Sequence, residues 1–159
     1  MNKNKSTWIW VLGIAVVLTV LFMIPRFTSK QTAPGVVSSD SATDVPCLVP
    51  NIPLKQHVHP QLTITVDGVK EEIPANIGLT VSCERALHTH DATGELHVEA
   101  QDDRAYTLGE FFSVWERKIE REGYTLNAQV DGVSVTTPIE AIPLKDGEKI
   151  ELLYTTPKK

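Results

Sequence analysis

Residues 47–159 are predicted to fold as an α+β domain. Three observations point there. Leu62, Ile64 and Val66 alternate with Thr63 and Thr65 and run into Asp67-Gly68, while Leu126 to Val130 run into Asp131-Gly132, so two hairpins are marked by their turns. Between them lies a stretch with apolar residues at helical spacing from Leu108 to Ile119. A third alternating pair of arms, residues 87–90 and 95–99, carries three of the chain's five histidines.

The part before residue 47 reads differently. Lys3 and Lys5 precede an uncharged run from Trp8 to Ile24, and Arg26 follows. Such a run sits at the short end of the roughly 20 residues that span a bilayer. Trp8, Trp10 and Phe27 suit the two interfaces. A cleaved signal peptide is the competing reading, but residues 28–33 make a poor cleavage site. Residues 1–27 are therefore expected to be a cytoplasmic tip and transmembrane anchor. The basic residues place the tip in the cytoplasm and the rest of the chain in an extracytoplasmic compartment of the cell membrane. Residues 28–46 are small, polar and Pro/Gly-containing, which predicts a flexible linker spanning about 25 Å.

The domain carries 11 Lys and Arg against 18 Asp and Glu, a net charge of −7. That acidity argues against nucleic acid and against docking on anionic lipid, and it suits a cation. Cys47 and Cys83 are the only cysteines. Outside the cytoplasm an even pair is expected to form a disulfide, worth about 3–4 kcal/mol on the chain-entropy model. The rival reading makes Cys83 a thiolate ligand, with four residues between it and His88-x-His90.

In chain order, His57 and His59 come first and share a face if their stretch is extended, which Pro60 favours. A strand from Gln61 and a return arm to Ile73 follow. The histidine hairpin is next. Thr107 with Glu110 three residues on is a capping box, and Tyr106 with Phe111 has the spacing of a hydrophobic staple. The helix they open should bury Leu108, Phe111, Phe112, Trp115 and Ile119 and stop at Gly123. Strands are then expected over Tyr124–Val130, Val133–Thr137 and Lys149–Tyr154. The pattern Leu62-x3-Val66-Asp67-Gly68 is echoed by Leu126-x3-Val130-Asp131-Gly132.

Within the histidine hairpin, Asp91 and Gly94 bracket the turn. With an even loop, His88 opposes His97 and His90 opposes Glu95, with opposed Cβ atoms about 4.5–5.5 Å apart. Leu87, Thr89, Leu96 and Val98 then form the apolar face. A three-residue loop with Gly94 as a bulge would instead put His90 on the face of Leu96. The even register keeps each face consistent.

With the histidine hairpin set aside as an insertion, this order resembles the β-grasp arrangement, a mixed sheet with one packed helix. The words His88-Thr89-His90-Asp91-x-Thr93-Gly94-x-x-His97-Val98-Glu99 and Thr107-Leu108-Gly109-x-Phe111-Phe112-x-x-Trp115 also resemble a set of uncharacterised, membrane-anchored prokaryotic proteins. That resemblance covers most of the domain and implies no activity.

The histidines point to a transition-metal site. His88, His90 and His97 are the candidate ligands, with His57, His59 and Glu95 completing or extending the shell, and Asp91 or Glu99 as outer acceptors. Neutral imidazole suits zinc or copper; the domain has no methionine, which disfavours a thioether Cu(I) site. A metal-dependent hydrolase or lyase using three histidines and an open position is an alternative. His88-x-His90-x4-Glu95 is similar to the first half of the cupin metal motif, but its second half has no counterpart here. A third reading is a metal-free module that binds an envelope protein, with the histidines as a pH-sensitive patch.

Overall fold

The structure is a computed structural model and describes residues 44–158. The expected anchor at 1–27 and most of the linker lie outside the described residues. Among the described residues no helix is long and apolar enough to cross a membrane.

The described chain is α+β, with two sheets and one α-helix. In order its elements are β1 (Gln56–Val58), β2 (Gln61–Val66), β3 (Val69–Glu71), β4 (Leu87–His88), β5 (His97–Ala100), α1 (Leu108–Val114), β6 (Thr125–Val130), β7 (Val133–Ser134), a 3-10 turn (Ile139–Ala141) and β8 (Lys149–Thr155). The larger sheet has the order β3-β2-β8-β6-β7, and the smaller one β1-β5-β4.

In the larger sheet β8 lies between β2, which it parallels, and β6, to which it is antiparallel. Register stacks the apolar residues in rows: Leu62, Ile150 and Val130; Ile64, Leu152 and Ala128; Val66, Tyr154 and Leu126. Leu62, Ile64, Ile150, Leu152 and Tyr154 are fully buried. The two Asp-Gly turns form as the sequence predicts, with Asp67 at φ 47° and Gly68 at 83°, and Asp131 at 51° and Gly132 at 78°. Each turn also grips an end of β8. Asp67 accepts hydrogen bonds from the Thr156 N–H at 2.7 Å and its hydroxyl at 2.8 Å, and Asp131 accepts from the Lys149 N–H at 2.9 Å. The repeated sequence pattern thus marks two hairpins that flank one central strand in opposite directions.

The helix starts as expected. Thr107 accepts from the Glu110 N–H, and the Glu110 carboxylate accepts from the Thr107 N–H at 2.8 Å. It ends nine residues before Gly123. Glu116 adopts φ 57°, the Glu116 N–H bonds to Ser113 O, and the Arg117 N–H bonds to Phe112 O. This is a Schellman stop built on glutamate rather than glycine, so the sequence carries no sign of it. Ile119 remains buried, but from the following loop. The strand after the second Asp-Gly turn is also shorter than expected, ending at Ser134.

The main departure from expectation is β1. The segment holding His57 pairs antiparallel with β5, making a three-stranded sheet where a hairpin alone was expected. Its rows separate by chemistry: Val58, Val98 and Leu87 lie across one row, while His57 opposes Glu99 and His97 opposes His88 in the rows beside it. Two backbone bonds tie this sheet to the larger one, Leu62 N–H to Gly94 O at 2.8 Å and Leu96 N–H to Pro60 O at 2.9 Å. Gly94, at φ 89°, is required there, because a Cβ would lie 2.4 Å from Leu62 O.

Cys47 and Cys83 form a disulfide with Cα atoms 5.3 Å apart, which removes Cys83 from the candidate ligands. Around it Leu48 N–H bonds to Glu84 O and Ala86 N–H to Pro46 O, so the start of the domain is stitched to the strand that leads into His88.

Candidate metal centre

Strand alternation and register bring the histidines together. His97 and Glu99 are two apart on β5 and share a face. Across the ladders β4 sets His88 opposite His97, and β1 sets His57 opposite Glu99. His59 follows His57 by two residues. All five rings make one contiguous group. Centroid separations are 4.7 Å for His57–His59, 4.6 Å for His59–His97, 4.4 Å for His90–His97 and 4.7 Å for His88–His90.

Two sets of donor atoms are close enough to hold an ion. One consists of His88, His90, His97 and Glu99; the other of His57, His59 and His97; within each set the donor atoms lie within 4.8 Å of one another. His97 belongs to both.

The sequence expectation of His88 facing His97 is met, but the loop between them is eight residues long rather than two or four. It keeps even parity without a ladder between His90 and Glu95. Thr89 supplies the order instead. It is fully buried, its Oγ1 donates to Pro74 O at 2.9 Å and accepts from the Ile77 N–H at 3.1 Å. Its backbone is bonded to the same segment, N–H to Ile77 O and C=O from the Asn76 N–H. The residue between His88 and His90 is therefore fixed by four hydrogen bonds. Asp91 accepts from the Thr93 N–H at 2.9 Å and its hydroxyl at 2.6 Å, which shapes the turn beyond.

His88 is wholly buried. Its Nδ1 lies 2.8 Å from Arg85 O, the separation of an N–H donating to a backbone carbonyl. That tautomer leaves Nε2 with its lone pair, 3.2 Å from Nε2 of His90. A backbone carbonyl orienting one ring nitrogen while the other meets the metal is the usual arrangement of a histidine ligand. Burial holds the His88 imidazole below its ordinary range, so it is neutral at pH 7. His97 is lowered too, by burial first and then by the neighbouring rings of His90, His88 and His59. Neutral imidazole is the ligating form.

Around His97, Glu95 Oε1 lies 3.5 Å from Nε2 and Glu99 Oε1 lies 3.5 Å from Nδ1. Nδ1 is buried with no hydrogen-bond partner. A buried nitrogen left unsatisfied beside a carboxylate fits a cation at that point. Glu99 joins the first set, although the sequence reading gave it only an outer role, and it also reaches His57 Nε2 at 3.2 Å. Its parity with His97 was the signal that could have found it. Glu95 belongs to neither set. His59 Nδ1 lies 3.9 Å from Asp146 Oδ1, an approach fixed because the same oxygen accepts from the His59 N–H at 2.9 Å.

Comparison of the chain with protein families, with curated proteins and with solved structures returns no match. The functional reading therefore rests on this geometry.

Proposed function

We propose that this chain is a membrane-anchored, extracytoplasmic domain that binds a transition-metal ion, zinc or Cu(II), at His88, His90, His97 and Glu99, and that it handles metal rather than catalysing a reaction on it. One observation carries the reading: four donor groups from two paired strands and the loop between them converge within 4.8 Å. The donor set is three imidazoles and a carboxylate, which suits zinc or Cu(II) and disfavours calcium or magnesium. Four protein donors leave little room for an open catalytic position, which favours holding an ion over activating water on it. The acidic surface of the domain supports attraction of cations. The anchor reading rests on residues 8–24 and their flanking charges.

The larger sheet is read as β-grasp. Supporting this are its central parallel pair, β2 and β8, the two outer hairpins, and the single helix between them in sequence. On that reading β1, β4 and β5 are an addition that carries the metal site.

The test is elemental analysis of the full chain, purified in detergent without a histidine tag and dialysed against Zn(II) or Cu(II). Bound metal should be at least one equivalent in wild type. His88→Ala and His97→Ala should each lower metal affinity by 10-fold or more. Metal content unchanged in both variants, or no metal in wild type, overturns the proposal.

A further inference from the structure

His88 and His97 face each other, yet their ring nitrogens are used differently. His88 commits Nδ1 to Arg85 O at 2.8 Å and so has one nitrogen to offer. His97 commits neither. No hydrogen-bond partner meets its buried Nδ1, and both nitrogens have a glutamate oxygen 3.5 Å away, from Glu99 on one side and Glu95 on the other. A ring with both nitrogens uncommitted, flanked by anions and shared by two donor sets, has the features of a bridge. The second set, His57 and His59 with His97, is complete without any member of the first apart from His97.

We propose that the centre is dinuclear. One ion sits among His88, His90, His97 and Glu99, a second among His57, His59 and His97, and the His97 ring presents a different nitrogen to each. This rests on the metal-binding reading above and adds a second ion to it. As the second ion binds, the ring gives up its remaining N–H proton to solvent, so the bridge is an imidazolate and one proton is released. Glu99, a donor of the first set, also reaches toward the second, 3.2 Å from His57 Nε2 and 3.5 Å from His97 Nδ1. A carboxylate there offsets part of the repulsion between two cations. Each set reaches solvent through one exposed histidine, His90 in the first (inner) set and His57 in the second (outer) set, but only the inner set has four donors and a wholly buried one, His88. The inner ion should therefore be the more strongly held.

Cu(II) is the probe, because two Cu(II) ions joined through one imidazolate couple their spins and a lone ion does not. Both cysteines are in the disulfide, so no thiol of the chain reduces the copper. The full chain in detergent is titrated with Cu(II) and read by calorimetry and electron paramagnetic resonance. Wild type should take up two equivalents, and the integrated spin signal at two equivalents should fall below that at one. His57→Ala and His59→Ala change exposed or half-exposed side chains and leave the core intact. Each should bind one equivalent with its full, uncoupled signal and with inner-site affinity within about 3-fold of wild type.

Saturation of wild type at one equivalent overturns the second ion while leaving the metal reading in place. Two equivalents with fully additive signals overturn the bridge. No binding at all overturns both.

Discussion

Thr89→Val tests whether the histidine pair is positioned by the buried threonine between its members. Valine keeps the shape of threonine and replaces the hydroxyl with a methyl. In the structure that hydroxyl is fully buried and satisfies two backbone groups, Pro74 C=O and Ile77 N–H. Leaving a buried group without its partner costs about 1–3 kcal/mol each, so the variant should lose about 2–6 kcal/mol. That is a large part of the about 5–15 kcal/mol typical of a domain. Thr89→Ser keeps the hydroxyl and removes one methyl, which should cost about 1 kcal/mol. Urea unfolding of the compact unit from Ser39 onward, followed by tryptophan fluorescence, gives both differences. Copper or zinc titration under conditions where both variants are folded gives the second readout. Metal affinity should fall at least 10-fold in Thr89→Val and under 3-fold in Thr89→Ser, because His88 and His90 flank the altered residue. A loss in Thr89→Val no larger than in Thr89→Ser would refute the hydrogen-bond argument. Full metal affinity in a destabilised Thr89→Val would refute the positioning role.

Two further outcomes are expected. Reducing the Cys47–Cys83 disulfide, or replacing it by Cys47→Ser with Cys83→Ser, should lower stability by about 3–4 kcal/mol for a sequence separation of 36, measured by urea unfolding with and without reductant; an unchanged midpoint would contradict it. Glu71 accepts from Arg121 at 2.6 and 3.0 Å and from Arg117 at 2.8 Å, and the Arg121 hydrogen bonds hold its carboxyl below the ordinary range. Because the folded value is the lower one, its stabilisation is complete above the unfolded value near 4.5 and is lost as pH falls through the folded value. Wild type should therefore exceed Glu71→Gln in thermal midpoint at pH 6, and the gap should narrow as pH falls below 4.5; a constant gap would refute the assignment.

Much of the fold was legible because its signals are local. Asp67-Gly68 and Asp131-Gly132 force their turns through backbone conformation, and Thr107 with Glu110 forces a helix start through two hydrogen bonds. What the sequence concealed depends on partners far along the chain. The helix stop at Glu116 uses a left-handed residue that is not glycine, so no letter announces it. The pairing of β1 with β5 joins residues about 40 positions apart, and a three-residue strand has too short a period to be read. That pairing is what brings His57 and His59 to the other histidines. The register of His88 with His97 was readable from parity alone, whereas the eight-residue loop was not, since its order comes from Thr89 bonding to residues 74–77.

The same long-range pairing explains why the rings sit where they do. A hairpin alone has two strands and could present His88, His97 and Glu99 on one face, with the side toward His57 open to water. Adding β1 covers Val98 with Val58 on the apolar row and closes the polar row with His57. Glu99 is thereby enclosed between His57 and His97, and the His97 nitrogen beside it loses access to solvent. Burying the His97 Nδ1 without a hydrogen-bond partner costs free energy. An ion at that point would supply the missing partner to the nitrogen and a counter-charge to Glu99. The cost is imposed by backbone pairing and not by the hairpin sequence, so it should disappear when β1 is detached: without its strand, His97 and Glu99 would be hydrated and the reason for a cation there would go with it.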